Sequence, residues 1–327
     1  MRMTPEVLKI DTKRTADDIA ERLRDVVVQK LHRRGLVVGL SGGVDSSATA
    51  GLAVRALGKE RVLALLMPEA DSAEETLPLS KRVAQALGIE AIVENITPVL
   101  EALRCYERRD DAIRRVVPGF GPGWRSKIVL PSVLDSDALR FYSVVVRSPD
   151  GNEQQVRLTT EAYLTVVAAT NFKQRTRKML EYFHADRLNY AVAGTPNRLE
   201  YDQGFFVKGG DGLADVKPIA HLYKSQVYAV AAEVGVPDEV LTRPPTTDTY
   251  SLPQSQDEFY FSLPYDRMDL CLWGKNHDMS VEDVATAAHL TPDQVARVYK
   301  DIDQKRRTTR ALHLKPILLG HVAEIES

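Results

Sequence analysis

One short segment combines the residue types that bind a polyphosphate. It is rich in glycine and hydroxyl side chains, and it consists of Gly39, Leu40, Ser41, Gly42, Gly43, Val44, Asp45, Ser46 and Ser47. Its adjacent glycines let the backbone approach phosphate oxygens without a Cβ in the way. Ser41 and Ser46 can donate hydroxyl protons, and Asp45 can bind the Mg²⁺ that accompanies a polyphosphate. The segment therefore predicts a phosphate-binding loop that carries a magnesium ligand.

The flanking sequence places this loop between a strand and a helix. Residues 36–40 form a short apolar run, typical of a strand buried on both faces, and residues 46–57 are predicted to be helical. At such a junction, backbone N–H groups and the helix dipole both favour an anion. A glycine-rich turn without a ligand is the simpler interpretation, but the residue types and the context agree over the whole segment.

Strands and helices alternate around this unit. Helices are predicted over residues 15–34, with Thr15 as the N-cap, and over 73–87. Strands are predicted over 62–66 and 91–93. This order predicts an α/β fold with a doubly wound, mainly parallel sheet.

The alternation stops between residues 105 and 160. Two apolar runs, 141–146 and 154–158, flank a Pro-Asp-Gly-Asn turn that favours a β-hairpin. We interpret 105–160 as an insertion on the core of one domain that spans the chain. A long helix is predicted over 161–184, and a further core strand over 190–193.

The phosphate-binding loop lacks the Gly-Lys-Ser/Thr sequence of a Walker loop. It resembles instead the pyrophosphate loop of the N-type ATP pyrophosphatases, which split ATP into AMP and pyrophosphate while they adenylate a substrate. That resemblance implies a Rossmann-like fold of the adenine nucleotide alpha hydrolase type. Ligases for GMP, asparagine and argininosuccinate share the loop with tRNA-modifying enzymes, so the loop alone leaves the substrate open.

Ordered motifs in the second half of the chain narrow the family. They lie at 171–177, 194–200, 204–218, 222–226, 245–248 and 254–258. Together they resemble the ammonia-dependent NAD synthetases, over residues 35 to about 274 apart from the insertion. Several motifs in one order are more specific than any of them alone.

The resemblance implies an ATP and metal site. Thr195, Thr246 and Lys224 match family positions that contact ATP. Glu200 is a second carboxylate that can join Asp45 on Mg²⁺, with waters and phosphate oxygens completing an octahedron. Lys224 stands near the start of a predicted helix, where its charge suits ATP phosphates.

The same resemblance implies a site for deamido-NAD. Arg175, Lys208 and Asp215 match family positions that contact this dinucleotide, whose pyrophosphate and carboxylate need cations and whose hydroxyls need acceptors. Taken singly, each charge would be an ordinary surface charge. Arg175 shares a basic helix face with Lys173 and Lys178, and such faces are most often solvated.

A basic run at 304–310 lies near the end of the chain. The family uses a His-Lys-Arg segment near its C-terminus to close over the dinucleotide. Lys305 and Arg306 match that segment, while Gln304 replaces the histidine. A solvated tail is the simpler interpretation of the same residues.

Two short helices are predicted at 280–290 and 291–301, each with cap spacing at its start. A tight helix pair can be a DNA-binding helix-turn-helix. The second helix offers only Arg297 and Lys300 as cations, so the charge favours a structural pair.

Composition excludes several classes of protein. The 327 residues include 43 Lys and Arg against 45 Asp and Glu, a net charge of −2 that speaks against a dedicated nucleic-acid binder. Cys105 and Cys271 stand far apart, which disfavours a disulfide scaffold or a structural zinc site. Apolar runs fall short of bilayer length, so we expect a cytoplasmic protein with no membrane partner.

Residues and resemblance together predict an ATP-dependent amide ligase of the NAD synthetase type. The nicotinate carboxylate of deamido-NAD attacks the α-phosphate of ATP, and ammonia then displaces AMP from the acyl-adenylate. Mg²⁺ on Asp45 and Glu200, the loop N–H groups and Lys224 stabilise the departing pyrophosphate. We expect positioning and charge neutralisation to account for the rate acceleration, so no catalytic His or Cys is required.

Partners and alternatives follow from the same interpretation. The family precedent implies a homodimer, and the chain length leaves no room for a fused glutaminase, so ammonia would come from solution or from a separate glutaminase. Three alternatives stay open. One is a ligase for a different carboxylate in a specialised pathway, with the insertion reshaping the acceptor pocket. The others are a tRNA-modifying pyrophosphatase and a non-enzymatic regulator that uses the helix pair.

Overall fold

The computed structural model describes residues 3–134, 141–246, 249–320 and 322. Within these ranges the strands are β1 (Leu36–Gly39), β2 (Val62–Leu66), β3 (Glu90–Val93), β4 (Arg125–Val129), β5 (Ser143–Arg147), β6 (Glu153–Arg157) and β7 (Ala191–Ala193). The α-helices are α1 (Thr12–Asp25), α2 (Val44–Leu57), α3 (Thr76–Leu87), α4 (Thr97–Ala102), α5 (Cys105–Arg114), α6 (Thr160–Leu188), α7 (Arg198–Gln203), α8 (Lys224–Glu233), α9 (Asp238–Leu241), α10 (Tyr265–Asn276), α11 (Val281–Ala288) and α12 (Pro292–His313).

The central sheet has the strand order β3-β2-β1-β7, and all its strands are parallel. Leu36 and Val38 of β1 pack against one helical layer, which contains α1, α2 and α8. Val37 packs against the other layer, which contains α4, α5 and α6. Because successive side chains of a strand point to opposite faces, an uninterrupted apolar strand requires this double cover. The predicted doubly wound parallel fold is confirmed.

Helix ends differ from their predictions where a side chain caps an earlier turn. Helix α1 begins at Thr12, because Asp11 accepts a hydrogen bond from the backbone N of Arg14 at 3.0 Å. The prediction of Thr15 as its N-cap was therefore wrong. A π-helical turn, Val26–Lys30, continues this helix toward β1.

A second sheet lies beside the core. Strands β4, β5 and β6 are antiparallel, and β5 and β6 form the predicted hairpin. The sheet shares a hydrophobic core with α5 and the first turns of α6. Neither β4 nor α5 was predicted, since β4 reads Arg-Ser-Lys-Ile-Val and gives little period-two signal. Both belong to the stretch that we interpreted as an insertion.

The C-terminal helices form a third layer. Ser280 and Thr291 cap α11 and α12, as their spacing predicts. Helix α12, however, continues to His313, so the basic run at 304–310 is helical and its interpretation as a tail was wrong. Val298 and Ile302 are fully buried against α10 and α11, and this apolar stripe carries the helix onward.

Both cysteines are free and buried, as expected for residues without a catalytic setting. Among the residues described above, no helix combines the length and the apolar composition that a bilayer crossing needs.

Candidate functional site

A cavity of about 400 Å³ opens at the carboxyl ends of β1, β2 and β7. In a parallel sheet this edge is where ligands bind. One end of the cavity is formed by the phosphate-binding loop, residues 39–46, with Thr195, Glu200, Lys224 and Thr246. The other end is aromatic and contains Tyr142, Tyr163, Phe205, Tyr250, Phe259 and Tyr260. The predicted ATP-binding residues are thus brought together in one cavity.

The phosphate-binding loop is shaped by its glycines and hydroxyls. Gly42 has a φ of 72°, and a Cβ there would lie 3.1 Å from the backbone O of Thr76, so the turn requires glycine. Ser46 Oγ donates to Gly43 O at 3.1 Å, and the Oγ atoms of Ser41 and Ser46 are 3.1 Å apart. The N-cap of α2 is Gly43, which has no side chain to occupy the first helical N–H groups. These groups are therefore available to an anion.

Asn197 joins the two predicted metal ligands. Its Nδ2 donates to Asp45 Oδ1 at 3.0 Å, and its backbone N donates to Glu200 Oε2 at 3.2 Å. The Asn197 side chain also caps α7, so the capping box that begins this helix holds Glu200 in place beside Asp45. We did not predict Asn197. Its signal is the Asn-x-x-Glu spacing directly after a strand.

The charges around Glu200 fit a cation. Burial raises the pKa of Glu200 to about 8, and the Asp45 carboxylate acts in the same direction against the Lys224 ammonium. When both carboxylates are ionised, they carry one more negative charge than Lys224 neutralises, and this excess is what a bound cation would offset. Among the described residues, no group of three or more His, Cys, Asp or Glu side chains is arranged to hold a metal ion. A metal here would take two carboxylates and complete its shell with waters and phosphate oxygens, as Mg²⁺ prefers.

Lys224 is the buried cation of the site. It is 1% exposed, and its Nζ is paired with Asp45 Oδ2. Burial alone would lower the pKa of Lys224, but the Asp45 and Glu200 carboxylates outweigh burial and raise it. The side chain therefore stays charged, with the phosphate-binding loop within reach.

A carboxylate from α10 positions Lys224. The Asp269 carboxylate accepts hydrogen bonds from the backbone N of Lys224 at 3.1 Å and of Ser225 at 2.8 Å. It thereby caps the first turn of α8, where negative charge is favourable. Burial raises the pKa of Asp269 to about 6. Sequence reasoning missed Asp269, because its contact with α8 spans 45 residues.

Thr195 and Thr246 both line the cavity, as predicted. Thr246 forms an isolated antiparallel bridge with Ser255. The next residue, Gln256, donates from Nε2 to Glu200 Oε1 at 3.0 Å. Gln256 is thus a further site residue that we did not assign. Thr247 and Asp248 of the same motif lie outside the described residues.

Two of the predicted deamido-NAD residues lie together, outside the cavity lining. Arg175 Nε donates to the backbone O of Lys208 at 3.3 Å. Lys208 Nζ donates to the backbone O of Ala311 at 2.9 Å, at the end of α12. The C-terminal helix therefore does reach the predicted dinucleotide residues, although through its last turn.

Asp215, the third of these residues, also lies outside the cavity lining. Its carboxylate accepts from the backbone N of Val192 at 2.7 Å and from Tyr182 Oη at 3.2 Å. These contacts place it at the edge of β7, beside α6.

The structure does not bring Lys305 and Arg306 to the cavity. Lys305 is 8% exposed, and its Nζ contacts Asp301 Oδ2 and Tyr260 O, both at 2.7 Å. Arg306 makes two hydrogen bonds to Asp202 at 2.7 and 2.8 Å. Their partners nevertheless adjoin the site, because Asp202 follows Glu200 on α7 and Tyr260 lines the cavity.

The basic face of α6 is largely internal. Lys173 is 1% exposed, and its Nζ donates to Glu69 at 2.8 Å, to Asp71 at 2.7 Å and to Thr249 O at 2.8 Å. Lys178 is also buried, and it pairs with Glu181. The interpretation of these two lysines as solvated was therefore wrong.

Comparisons with known proteins agree with this geometry. The family model described as NAD synthase matches residues 15–117 and 145–310. The NH(3)-dependent NAD(+) synthetase of Rhizobium meliloti (strain 1021) is 59% identical over 321 residues, which cover 98% of this chain and 96% of that protein. The NH(3)-dependent NAD(+) synthetase of Thermotoga maritima is 35% identical over 286 residues, 86% of this chain and 92% of that protein.

Solved structures share the fold at lower identity. The NMN synthetase of Francisella tularensis superposes with a TM-score of 0.67 at 21% identity, covering 96% of this chain and all of that one. The NH3-dependent NAD synthetase of Campylobacter jejuni gives a TM-score of 0.62 at 22% identity, covering 95% of this chain and 100% of that one.

Proposed function

The chain belongs to the NAD synthase family, and from that premise we propose that it is an ammonia-dependent NAD synthetase. Such an enzyme uses ATP to adenylate the nicotinate carboxylate of deamido-NAD and then replaces AMP with ammonia. The observation that carries the proposal is the assembly of Asp45, Glu200 and Lys224 around one phosphate-binding loop. These groups supply charge where pyrophosphate would leave.

The proposal assigns the first step to binding and charge neutralisation. The N–H groups at the start of α2 and the Lys224 ammonium hold the β- and γ-phosphates. A carboxylate oxygen of the acceptor then forms a bond to the α-phosphorus while the bond to pyrophosphate breaks. Little acid–base chemistry is needed, because the leaving group departs as an anion that cations already bind.

The second step forms the amide. Ammonia adds to the acyl carbon of the adenylate, AMP leaves with the electron pair of the acyl–oxygen bond, and the nitrogen releases a proton. Ammonia comes from solution or from a separate glutaminase. We keep the prediction that the enzyme works in the cytoplasm.

Mg²⁺ is proposed as the metal, held by Asp45 and Glu200. The raised pKa of Glu200 supports this assignment, because it marks a buried pair of carboxylates that a divalent cation would relieve. When bound, the ion neutralises charge on the phosphates. Asn197 and Gln256 orient the two carboxylates by their hydrogen bonds.

Arg175, Lys208 and Asp215 are proposed to contact the distal half of the dinucleotide. In support, Arg175 and Lys208 lie together beside the cavity. We propose a structural role for Lys305 and Arg306, because their side chains form hydrogen bonds with other residues of the protein. Lys305 supports Tyr260, and Arg306 supports α7, which carries Glu200.

A homodimer is proposed, with α6 at its interface. Met179 and Phe183 on this helix are 59% and 58% exposed, and Arg175 lies on the same face one turn before Met179. Large apolar side chains in such a row mark an interaction surface. Sedimentation equilibrium should give a dimer for the wild-type protein and a monomer for Phe183→Asp; a wild-type monomer would refute the dimer.

The reaction is tested directly with purified protein, Mg-ATP, ammonium and deamido-NAD. NAD, AMP and pyrophosphate should appear in equal amounts, and omission of ammonium should stop NAD formation. Nicotinate mononucleotide serves as the second acceptor. Turnover with that acid but not with deamido-NAD would contradict the proposal, and release of ADP would overturn the adenylation chemistry.

A further inference from the structure

The aromatic end of the cavity begins directly beside the proposed metal ligands. Phe205 follows α7, and its ring stacks on Tyr260 with centroids 4.7 Å apart. Tyr260 Oη donates to the backbone O of Gln203, three residues after Glu200, at 2.7 Å. The aromatic surface therefore starts where the phosphate-binding end of the cavity stops.

Tyr142 also lines this end of the cavity. Its ring stacks on Tyr163 of α6 with centroids 4.2 Å apart and an interplanar angle of 13°. The backbone O of Tyr142 accepts from the N of Leu158 at 3.0 Å, which anchors the residue to the second sheet. Tyr142 lies in the segment 118–144, which the family model does not match. Tyr142 is therefore an addition to the part of the chain that the family model matches, whereas Tyr163 belongs to that part.

The same segment is fastened to the site by its first strand. In β4, Ser126 N donates to Ser251 Oγ at 2.9 Å, and Lys127 Nζ contacts Glu258 Oε1 at 2.6 Å. The stretch between these two partners carries Gln256, which contacts Glu200. Strand β4 thus has a fixed position relative to the proposed metal ligands.

We assign ATP to the other end of the cavity, which contains the phosphate-binding loop. Between the carboxyl ends of β1 and β2, the apolar residues Leu66, Met67 and Pro68 line a crevice beside the phosphate-binding loop. An adenine ring placed there lets the triphosphate run along the loop toward Asp45 and Glu200. The aromatic end, which adjoins α7 through Phe205 and Tyr260, is then left for the second substrate.

The ring of that substrate is suited to contact with the faces of Tyr142 and Tyr163. Deamido-NAD presents a pyridinium ring, which is flat and positively charged, with the reacting carboxylate attached. A cationic ring is attracted by the face of an aromatic ring, more so when the site is desolvated. Burial raises the pKa of both Tyr142 and Tyr163, so both present neutral phenol faces.

Resting on the proposed function, we propose that Tyr142 is a specificity-determining residue for the acceptor. With Tyr163 it forms a wall on which the pyridinium ring stacks, and this stacking directs the carboxylate toward Glu200 and the α-phosphate of ATP. Tyr142 thereby adds an aromatic contact to the acceptor site from a residue that the family model does not match.

The test compares steady-state kinetics of four variants. Tyr142→Leu fills the volume without an aromatic face, and Tyr142→Ala removes both; each should raise KM for deamido-NAD about tenfold or more, the size expected when a stacking partner is lost. KM for ATP should stay within about twofold. Tyr142→Phe keeps the face and should stay close to wild type.

Phe141→Ala is the matched control. Phe141 is the neighbour of Tyr142, but it is 44% exposed, and its ring packs under the Arg157 guanidinium at 3.4 Å. Its truncation removes a ring from the same segment without touching the cavity. Both KM values should therefore match wild type.

These kinetics distinguish failure of the proposed function from failure of the inference about Tyr142. If the wild-type protein makes no NAD from deamido-NAD, the proposed function itself fails. If wild type turns over but Tyr142→Leu raises KM for ATP instead, the wall binds adenine and the inference is wrong. Unchanged KM values in Tyr142→Leu also overturn it.

Saturation-transfer NMR on the wild-type protein gives a test without any variant. The pyridine protons of deamido-NAD should receive more saturation from the tyrosine resonances than its adenine protons do. The reverse order would overturn the inference, even where the Tyr142 variants fail to fold.

Discussion

Two regions of the molecule each hold a buried lysine against an aspartate. In the cavity, Lys224 pairs with Asp45; below it, on the C-terminal helix, Lys305 pairs with Asp301. Both lysines are less than one tenth exposed. As residue types in a sequence they are equivalent, and both were predicted to bind a substrate.

The regions differ in what else surrounds each ammonium. Lys305 donates to the backbone O of Tyr260 and lies 4.5 Å from the centroid of the Tyr260 ring, so protein groups enclose it. Lys224 instead has Glu200 nearby and borders the open cavity. A buried lysine in an ion pair can therefore bind a ligand only where its ammonium also borders a cavity.

The largest effect should come from a substitution in the cavity, beside Lys224. Glu200→Gln removes the charge that a metal needs, and turnover should fall by about 10² to 10³, as when one group stabilising a transition state is lost. Folding should be nearly unaffected, because burial already disfavours the charged form of Glu200. Rates of AMP formation and thermal melting measure the two quantities.

Asp45→Asn is the companion variant and should lose activity to a similar degree. Near-normal turnover in either variant would refute the proposed metal role. Chelation by EDTA should abolish the wild-type reaction, and added Mg²⁺ should restore it.

Substitution of the enclosed Lys305 should instead lower stability and leave substrate binding unchanged. Lys305→Met removes the ammonium from a buried ion pair with Asp301, and the free energy of unfolding should fall by about 3 kcal/mol, the size expected when one partner of such a pair is removed. KM for ATP should stay at its wild-type value. Urea unfolding and steady-state kinetics give both numbers.

A double variant controls this comparison. Lys305→Met with Asp301→Asn removes both charges and should recover part of the lost stability. If Lys305→Met instead raises KM for deamido-NAD at full stability, Lys305 binds substrate after all and the contrast with Lys224 disappears.

The smallest effect concerns pH, and it sharpens what fixes Lys224 in place. Burial raises the pKa of Asp269 to about 6, from 3.8 in an unfolded chain. Between these values the folded state binds more protons than the unfolded one, so this group's contribution to stability is present below pH 3.8 and is lost as pH rises through 6. Titration of Asp269 should therefore lower the free energy of unfolding by about 2 kcal/mol between pH 4.5 and 6.5.

Asp269→Asn removes that titration. Unfolding free energies at the two pH values should therefore differ less in the variant than in wild type. Equal differences in both proteins would show that Asp269 does not titrate in this range.

Local sequence signals sufficed for the elements that repeat a simple pattern. The buried strand that ends at Gly39, the Asp-Gly hairpin turn and the capped helices at Ser280 and Thr291 follow from residue types alone. They failed for β4, whose polar residues pack against a loop more than 120 residues away. No local period records such a contact.

The sequence by itself determined the parallel α/β fold, and it predicted the phosphate-binding loop with Asp45, Glu200 and Lys224 as site residues. Each rests on a contiguous motif or on one residue within it. Only the tertiary structure decided which charges face the cavity, because that depends on partners far apart in the chain. Packing of α12 encloses Lys305, whereas the meeting of α7 and α8 beside the phosphate-binding loop leaves Lys224 open to a ligand.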